Sequence, residues 1–231
     1  MMNIEFLQKY AMTGIWETED LRSYKTDLLL MAQQEQKKFK PLAKEMYSGN
    51  KIQIIDFFSG AGGTSLGFAT VNNIIPIFDF LGGCDINKFS AESYAHNFDT
   101  PVINRDIIEL AEDKEELIKV LDNIGYDKMK PTILIGCAPC QGFTSHRKKH
   151  WNEEDDHRNN LVNVFADIVS YIQPIAFVME NVPEFLSNRY WKYFYAAKNR
   201  YEQEGYIVKE NIYNACLLYT SPSPRDISGS R

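Results

Sequence analysis

Ile52-Gln53-Ile54-Ile55-Asp56-Phe57-Phe58-Ser59-Gly60-Ala61-Gly62-Gly63-Thr64 carries an apolar run into a glycine-rich turn and on into a helical pattern. Four apolar or β-branched positions in six read as a buried strand. Three glycines directly after it let the backbone turn sharply and approach a ligand closely. Strand, glycine loop and helix in that order make one βα unit, and the chain after it repeats the unit. Strands are expected at 52–57, 75–81 (ending at Cys84-Asp85), 101–103, 132–136, 175–179 and 206–213. Helices are expected between them at 64–71, 88–97, 112–122, 161–171 and 191–204. Alternating elements with near-continuous apolar strands predict an α/β fold, a parallel sheet covered on both faces. Ligands of such sheets bind beyond the carboxyl ends of the strands.

Outside this repeat the sequence changes character. Residues 1–50 read as a helical extension, with Leu28, Leu29, Leu30, Met31, Phe39, Leu42 and Met46 loosely on one face, and Lys37, Lys38 and Lys40 as a solvated one. Residues 51–215 hold the βα units. Residues 216–231, beginning Cys216-Leu217-Leu218-Tyr219-Thr220-Ser221-Pro222, resemble an in-frame translation of a transposon-end adapter from a sequencing library. The other reading is a natural disordered tail.

The chain has 231 residues, 44% hydrophobic and 24% charged, which suits one soluble globular domain. No stretch approaches about 18 consecutive apolar residues, so no membrane partner is expected. Four cysteines without a paired framework fit a reducing cytoplasm. A net charge of −6 by itself argues against a nucleic-acid binder.

Three signals stand at strand ends. The glycine loop is followed by Asp85 and Ile86 after the second strand, where an acid can accept from a ribose, and by Asp106 after the third, where one can accept from an adenine amino group. The spacing is not G-x-G-x-x-G, which favours an adenosyl cofactor over a dinucleotide. The second signal is Gly136-Cys137-Ala138-Pro139-Cys140-Gln141, where a strand delivers a cysteine behind a proline to a polar loop. Cys137 and Cys140 are also a C-x-x-C pair. A zinc ribbon needs a second such pair, which is lacking, and a thioredoxin-type motif would open its domain and precede a helix. The histidines lack partner acids at fixed spacing, so no metal is assigned. The third signal is Glu180-Asn181 after the fifth strand, adjacent to the fourth in the usual doubly wound order. Residues 145–160 are polar and charged, and Ser145, Arg147, Lys148 and Arg158 are candidate contacts to a phosphate backbone.

Taken together, Phe58-Ser59-Gly60-Ala61-Gly62-Gly63, Pro139-Cys140-Gln141 and Glu180-Asn181-Val182 resemble the DNA cytosine-5 methyltransferase family over about residues 52–215. The resemblance implies a doubly wound, mostly parallel sheet of the S-adenosylmethionine-dependent methyltransferase (Rossmann-like) type, incomplete at its C-terminus. It implies S-adenosylmethionine as cofactor, held by Phe58 stacking on adenine, by Ser59 to Gly63, and by Asp85, Ile86, Asp106 and Leu161. Asp156-His157-Arg158-Asn159-Asn160-Leu161 departs from the family's usual glycine after the arginine. Cys140, flanked by Pro139 and Gln141, would attack cytosine, with Glu180 and Asn181 beside the ring. The implied partner is double-stranded DNA with a flipped cytosine, acted on by a monomer, with a cognate restriction endonuclease in a bacterial, archaeal or phage-infected cytoplasm. Alternatives are the tRNA-methylating branch of the family and an inactive cofactor- or DNA-binding fragment. The family's Q-x-R-x-R motif and target-recognition region do not follow Ala215. The fragment alone is therefore expected to be inactive, and its acidic balance to describe only a cofactor half.

Overall fold

A computed structural model describes residues 51–72, 75–139, 160–186 and 190–212. The expected helical extension over 1–50, Cys140, Gln141, the candidate loop contacts Ser145, Arg147, Lys148 and Arg158, and the tail 216–231 lie outside them.

Five strands form one sheet in the order β3-β2-β1-β4-β5, every pairing parallel. They are β1 (Ile52–Phe57), β2 (Phe78–Asp85), β3 (Val102–Asn104), β4 (Thr132–Gly136) and β5 (Ala176–Met179). The helices are α1 (Gly63–Asn72), α2 (Lys88–Phe98), α3 (Ile107–Glu112), α4 (Lys114–Asn123), α5 (Leu161–Ile172) and α6 (Trp191–Gln203), with one 3₁₀ turn at Pro183–Leu186. Alternation along the strands sends Ile55, Phe57, Leu134 and Phe177 to one face. There they meet Leu110 of α3, Leu117 of α4, Phe165 and Val169 of α5, and Tyr201 of α6. Phe165 and Phe177 anchor this core edge to face, and Phe177 lies against Tyr201 with centroids 4.2 Å apart. The opposite face is covered by α1 and α2, over Ile54 and Asp56.

Several boundaries differ from expectation for local reasons. β2 begins at Phe78 rather than Ile75, because Ile75 N–H still bonds Val71 O and Pro76 has no donor for a ladder. Asn72 then brackets the strand start, its side chain bonding both Phe78 N and Phe78 O at 2.8 Å. The helix expected over 112–122 is α4, at Lys114–Asn123, capped by Asp113 through Glu115 and Glu116 N–H; the short α3 before it, capped by Asp106, is not among the expected helices. The strand expected over 206–213 is not formed across 206–212. That segment is held instead by Tyr206, whose hydroxyl donates to Pro174 O at 2.7 Å, while Ile207 and Ile212 stand exposed. An isolated extended segment has no ladder to satisfy it, and among the described residues no strand borders β5 on its outer side.

Candidate functional site

The carboxyl ends of β1, β2, β4 and β5 meet along one rim, and the signals of the sequence lie on it. Phe58 leaves β1 with φ of 57°, a left-handed conformation uncommon for an aromatic residue, and packs half-buried against the core. The turn that follows is tied at each step. Ser59 N–H donates to Cys84 O, Gly62 N–H to Ser59 O, and Asn97 of α2 holds Ala61 O at 2.9 Å. Gly60 N–H donates to Asp85 Oδ2 at 2.9 Å.

Gly62 has φ of 95°, and a Cβ there would stand 2.2 Å from the Phe98 ring and 3.1 Å from the Tyr94 ring. Only glycine fits so close to this stacked pair, whose centroids are 4.5 Å apart. The sheet approaches Tyr94 from below in the same way, since a Cβ on Gly83 would fall 2.4 Å from its ring. Tyr94 is thus wedged between the glycine loop and β2. At Gly60 and Gly63, by contrast, no heavy atom lies within 4 Å of where a Cβ would sit, so the outer side of the loop is open backbone.

The candidate acids are each accounted for. Asp85 uses both oxygens on backbone, Oδ2 on Gly60 N and Oδ1 on Asn87 N, while Asn104 holds Asp85 O and Ile86 O. Each carboxylate oxygen keeps a second lone pair for a ligand. Ile86 stands exposed on the rim. Asp106 caps α3 through Ile108 N–H at 2.9 Å, so that acid has a structural task. Leu161, at the start of α5, is buried in the core.

On the other side of the rim, Pro139 follows β4 and Glu180-Asn181 follow β5. Glu180 N–H donates to Gly136 O at 3.1 Å, and Asn181 Nδ2 donates to Ala138 O at 3.4 Å. The structure therefore brings the residues before Cys140 against the Glu180-Asn181 pair, with the Glu180 side chain exposed at the rim. Cys137, half-buried, shares a hydrogen bond of 2.9 Å with Thr64 Oγ1. Burial holds its thiol above the ordinary cysteine range, with Asp56 and Glu180 adding to the rise against the Thr64 bond. Cys84, fully buried, is pushed up to about 12, chiefly by burial. Both described cysteines are thereby kept as thiols.

A polar chain beneath the loop escapes sequence reasoning. Ser65 donates to Asp56 Oδ2 at 2.6 Å and lies 3.0 Å from the Tyr94 hydroxyl. Its one sequence signal is a carboxylate inside an apolar strand, Ile54-Ile55-Asp56-Phe57.

Residues 52–225 match the family model described as C-5 cytosine-specific DNA methylase, a match that continues past Ala215 to Arg225. The chain belongs to this family. Its relatives include the type II methyltransferase M1.HphI of Haemophilus parahaemolyticus. It is 34% identical over 175 residues, covering 75% of this chain and 44% of the relative. The type II methylase M.HgiDII of Herpetosiphon aurantiacus is 32% identical over 173 residues, again 75% of this chain and 44% of the relative. Among solved structures, a candidate DNA modification methyltransferase encoded within an E. coli prophage superposes with a TM-score of 0.52 at 30% identity. It covers 66% of this chain and 38% of that one. This DNA methylase chain thus spans less than half the length of the relatives named here, and its parallel α/β sheet matches the solved methyltransferase neighbour. No helix among its described residues is long and apolar enough to cross a membrane.

Proposed function

We propose that the chain is the cofactor-and-nucleophile part of an enzyme that methylates carbon 5 of cytosine in double-stranded DNA, with S-adenosylmethionine as donor, within a type II restriction–modification setting. The observation that carries the reading is the meeting of two motifs at neighbouring strand ends, Pro139 after β4 and Glu180-Asn181 after β5, joined through Gly136 O and Ala138 O. The open backbone at Gly60 and Gly63 and the acid at Asp85 fit an adenosyl cofactor. Gly60 to Gly63 would cradle it, Asp85 and Ile86 would meet the ribose, and Phe58 the adenine. Asp106, already capping α3, keeps lone pairs for the adenine amino group. When bound, S-adenosylmethionine supplies the methyl group.

The protein's residues do the rest. Cys140 adds as a thiolate to carbon 6 of cytosine, which makes carbon 5 nucleophilic. Glu180 hydrogen-bonds or protonates ring nitrogen 3 as charge develops there, and Asn181 holds Ala138 O just before Pro139. After methyl transfer, loss of the carbon 5 proton expels Cys140. A stacked base is out of reach of such a rim, so the cytosine is flipped out of the duplex. Ser145, Arg147, Lys148 and Arg158 would close on the phosphates. The enzyme acts as a monomer beside a cognate endonuclease, and the 231-residue chain, which spans less than half the length of the relatives it matches, is inactive by itself.

The test is covalent trapping on a duplex carrying 5-fluorocytosine. A denaturation-resistant adduct is expected with the natural residue and none with Cys140→Ala. Glu180→Gln should slow turnover by about 100-fold or more. An adduct that persists in Cys140→Ala would move the nucleophile elsewhere.

A further inference from the structure

Beneath the glycine loop lies a carboxylate that the proposed reaction leaves without a role. Asp56 is 1% exposed at the end of β1. Ser65 gives its one hydroxyl proton to Asp56 Oδ2, so at 3.0 Å the Tyr94 hydroxyl donates to Ser65 Oγ. Asp56 Oδ1 is buried and meets no hydrogen-bond partner among the described residues.

Nor does any described cation face it. The groups acting on Asp56 are Ser65 of α1 and Asp85 at the end of β2. Asp56 in turn acts on Tyr94 of α2 and on Cys137 after β4, where Glu180 after β5 also bears. All of these are neutral or acidic. Burial, opposed by the Ser65 bond and reinforced by Asp85, pushes the Asp56 carboxyl up to about 7. A buried acid in acidic company holds its proton until a positive charge arrives.

We propose that Asp56 is a charge-sensing positioning residue of the cofactor site. In the empty site it carries a proton on Oδ1. It releases that proton to solvent when the sulfonium cation of S-adenosylmethionine enters the cleft, and takes one back when the neutral thioether product replaces it. The inference rests on the cofactor reading above. The Oδ2 side is unaffected by the exchange, since it accepts from Ser65 in either state, so the loop keeps its shape while its charge changes. The ionised form favours the methyl donor over the spent product at one site, without any contact to the part of the ligand that they share.

Calorimetric titration of the 231-residue chain decides it, run at pH 7 in two buffers of different ionisation enthalpy. Binding of S-adenosylmethionine should release about half a proton, and binding of S-adenosylhomocysteine none. Between pH 6 and 8 the affinity ratio of the two ligands should rise about fivefold in favour of the cation, the change expected over that range for about one pK unit of coupling. Asp56→Asn should abolish both effects. The two wild-type measurements stand even if the variant does not fold. Equal proton release with both ligands, or none with either while both bind, overturns the inference alone. If neither ligand binds, the cofactor reading falls and the inference with it.

Discussion

The two sides of the sheet are built to different tolerances. On the β1–β2 side the glycine loop is held by three bonds from two elements: Asp85 to Gly60 and Cys84 O to Ser59 from β2, and Asn97 to Ala61 from α2. Tyr94 wedges the loop against the sheet. On the β4–β5 side, Phe177 and Met179 are partly buried against α5 and α6, whereas Ala176 and Val178 stand exposed on the other face. The nucleophile side is tied across strands at Glu180 N–H and Asn181 Nδ2, and the outer edge of β5 has no described partner. A cofactor loop fixed before its ligand arrives loses little entropy on binding. On the proposed reaction, the other rim must admit a flipped base.

That contrast breaks if substitutions on the two sides have equal weight. Tyr94→Ala should have the largest effect, removing a fully buried ring at the cost of about 3–5 kcal/mol in a denaturant melt and abolishing cofactor binding. A cofactor affinity that survives Tyr94→Ala would show that the wedge does not set the loop.

Asp56→Asn comes next, and its sign depends on pH. A carboxyl near 3.8 when unfolded and about 7 when folded binds a proton in the folded state that the unfolded state has lost. Wild-type stability therefore falls as pH rises from about 4 to 7, by up to about 4 kcal/mol. The asparagine variant cannot ionise, so its melting temperature relative to wild type should climb between pH 5 and pH 8. A constant difference across that range would mean the carboxyl titrates normally.

Asp85→Ala unties Gly60 and Asn87 N–H together and should cost about 1–3 kcal/mol, with cofactor affinity falling more than stability does. Val178→Ser, on the exposed face of β5, should change stability by no more than about 0.5 kcal/mol. A larger loss at Val178 would mean that something covers this face.

Where the fold was legible in the sequence, local chemistry set it. β4 lies where an apolar run between Pro131 and Cys137 predicts it, and α5 starts at Leu161 as its periodicity requires. Where it was not legible, a single residue or a missing neighbour overrode the pattern. Asp106 caps a short α3 that no periodicity announced, and Pro76 delays β2. Residues 206–212 have strand-like composition, yet pairing makes a strand, and composition says nothing of an available edge. The same holds for the candidate site. The glycine loop, Asp85 and the Glu180-Asn181 pair could be read as motifs because they are contiguous. The Asp56–Ser65–Tyr94 chain spans contacts of 9 and 29 residues in sequence, visible only once α1 and α2 lie on the sheet.

The strand order also carries a consequence for synthesis. β1 is central, flanked by β2 on one side and by β4 on the other. As the chain leaves the ribosome, β2 follows within about one helix, but β4 waits for the whole of β3, α3 and α4. At about 5–20 residues per second, β1 keeps one raw edge exposed for several seconds. During that interval the nascent chain can add a foreign strand where β4 belongs, the kind of hazard a trigger-type chaperone exists to shield.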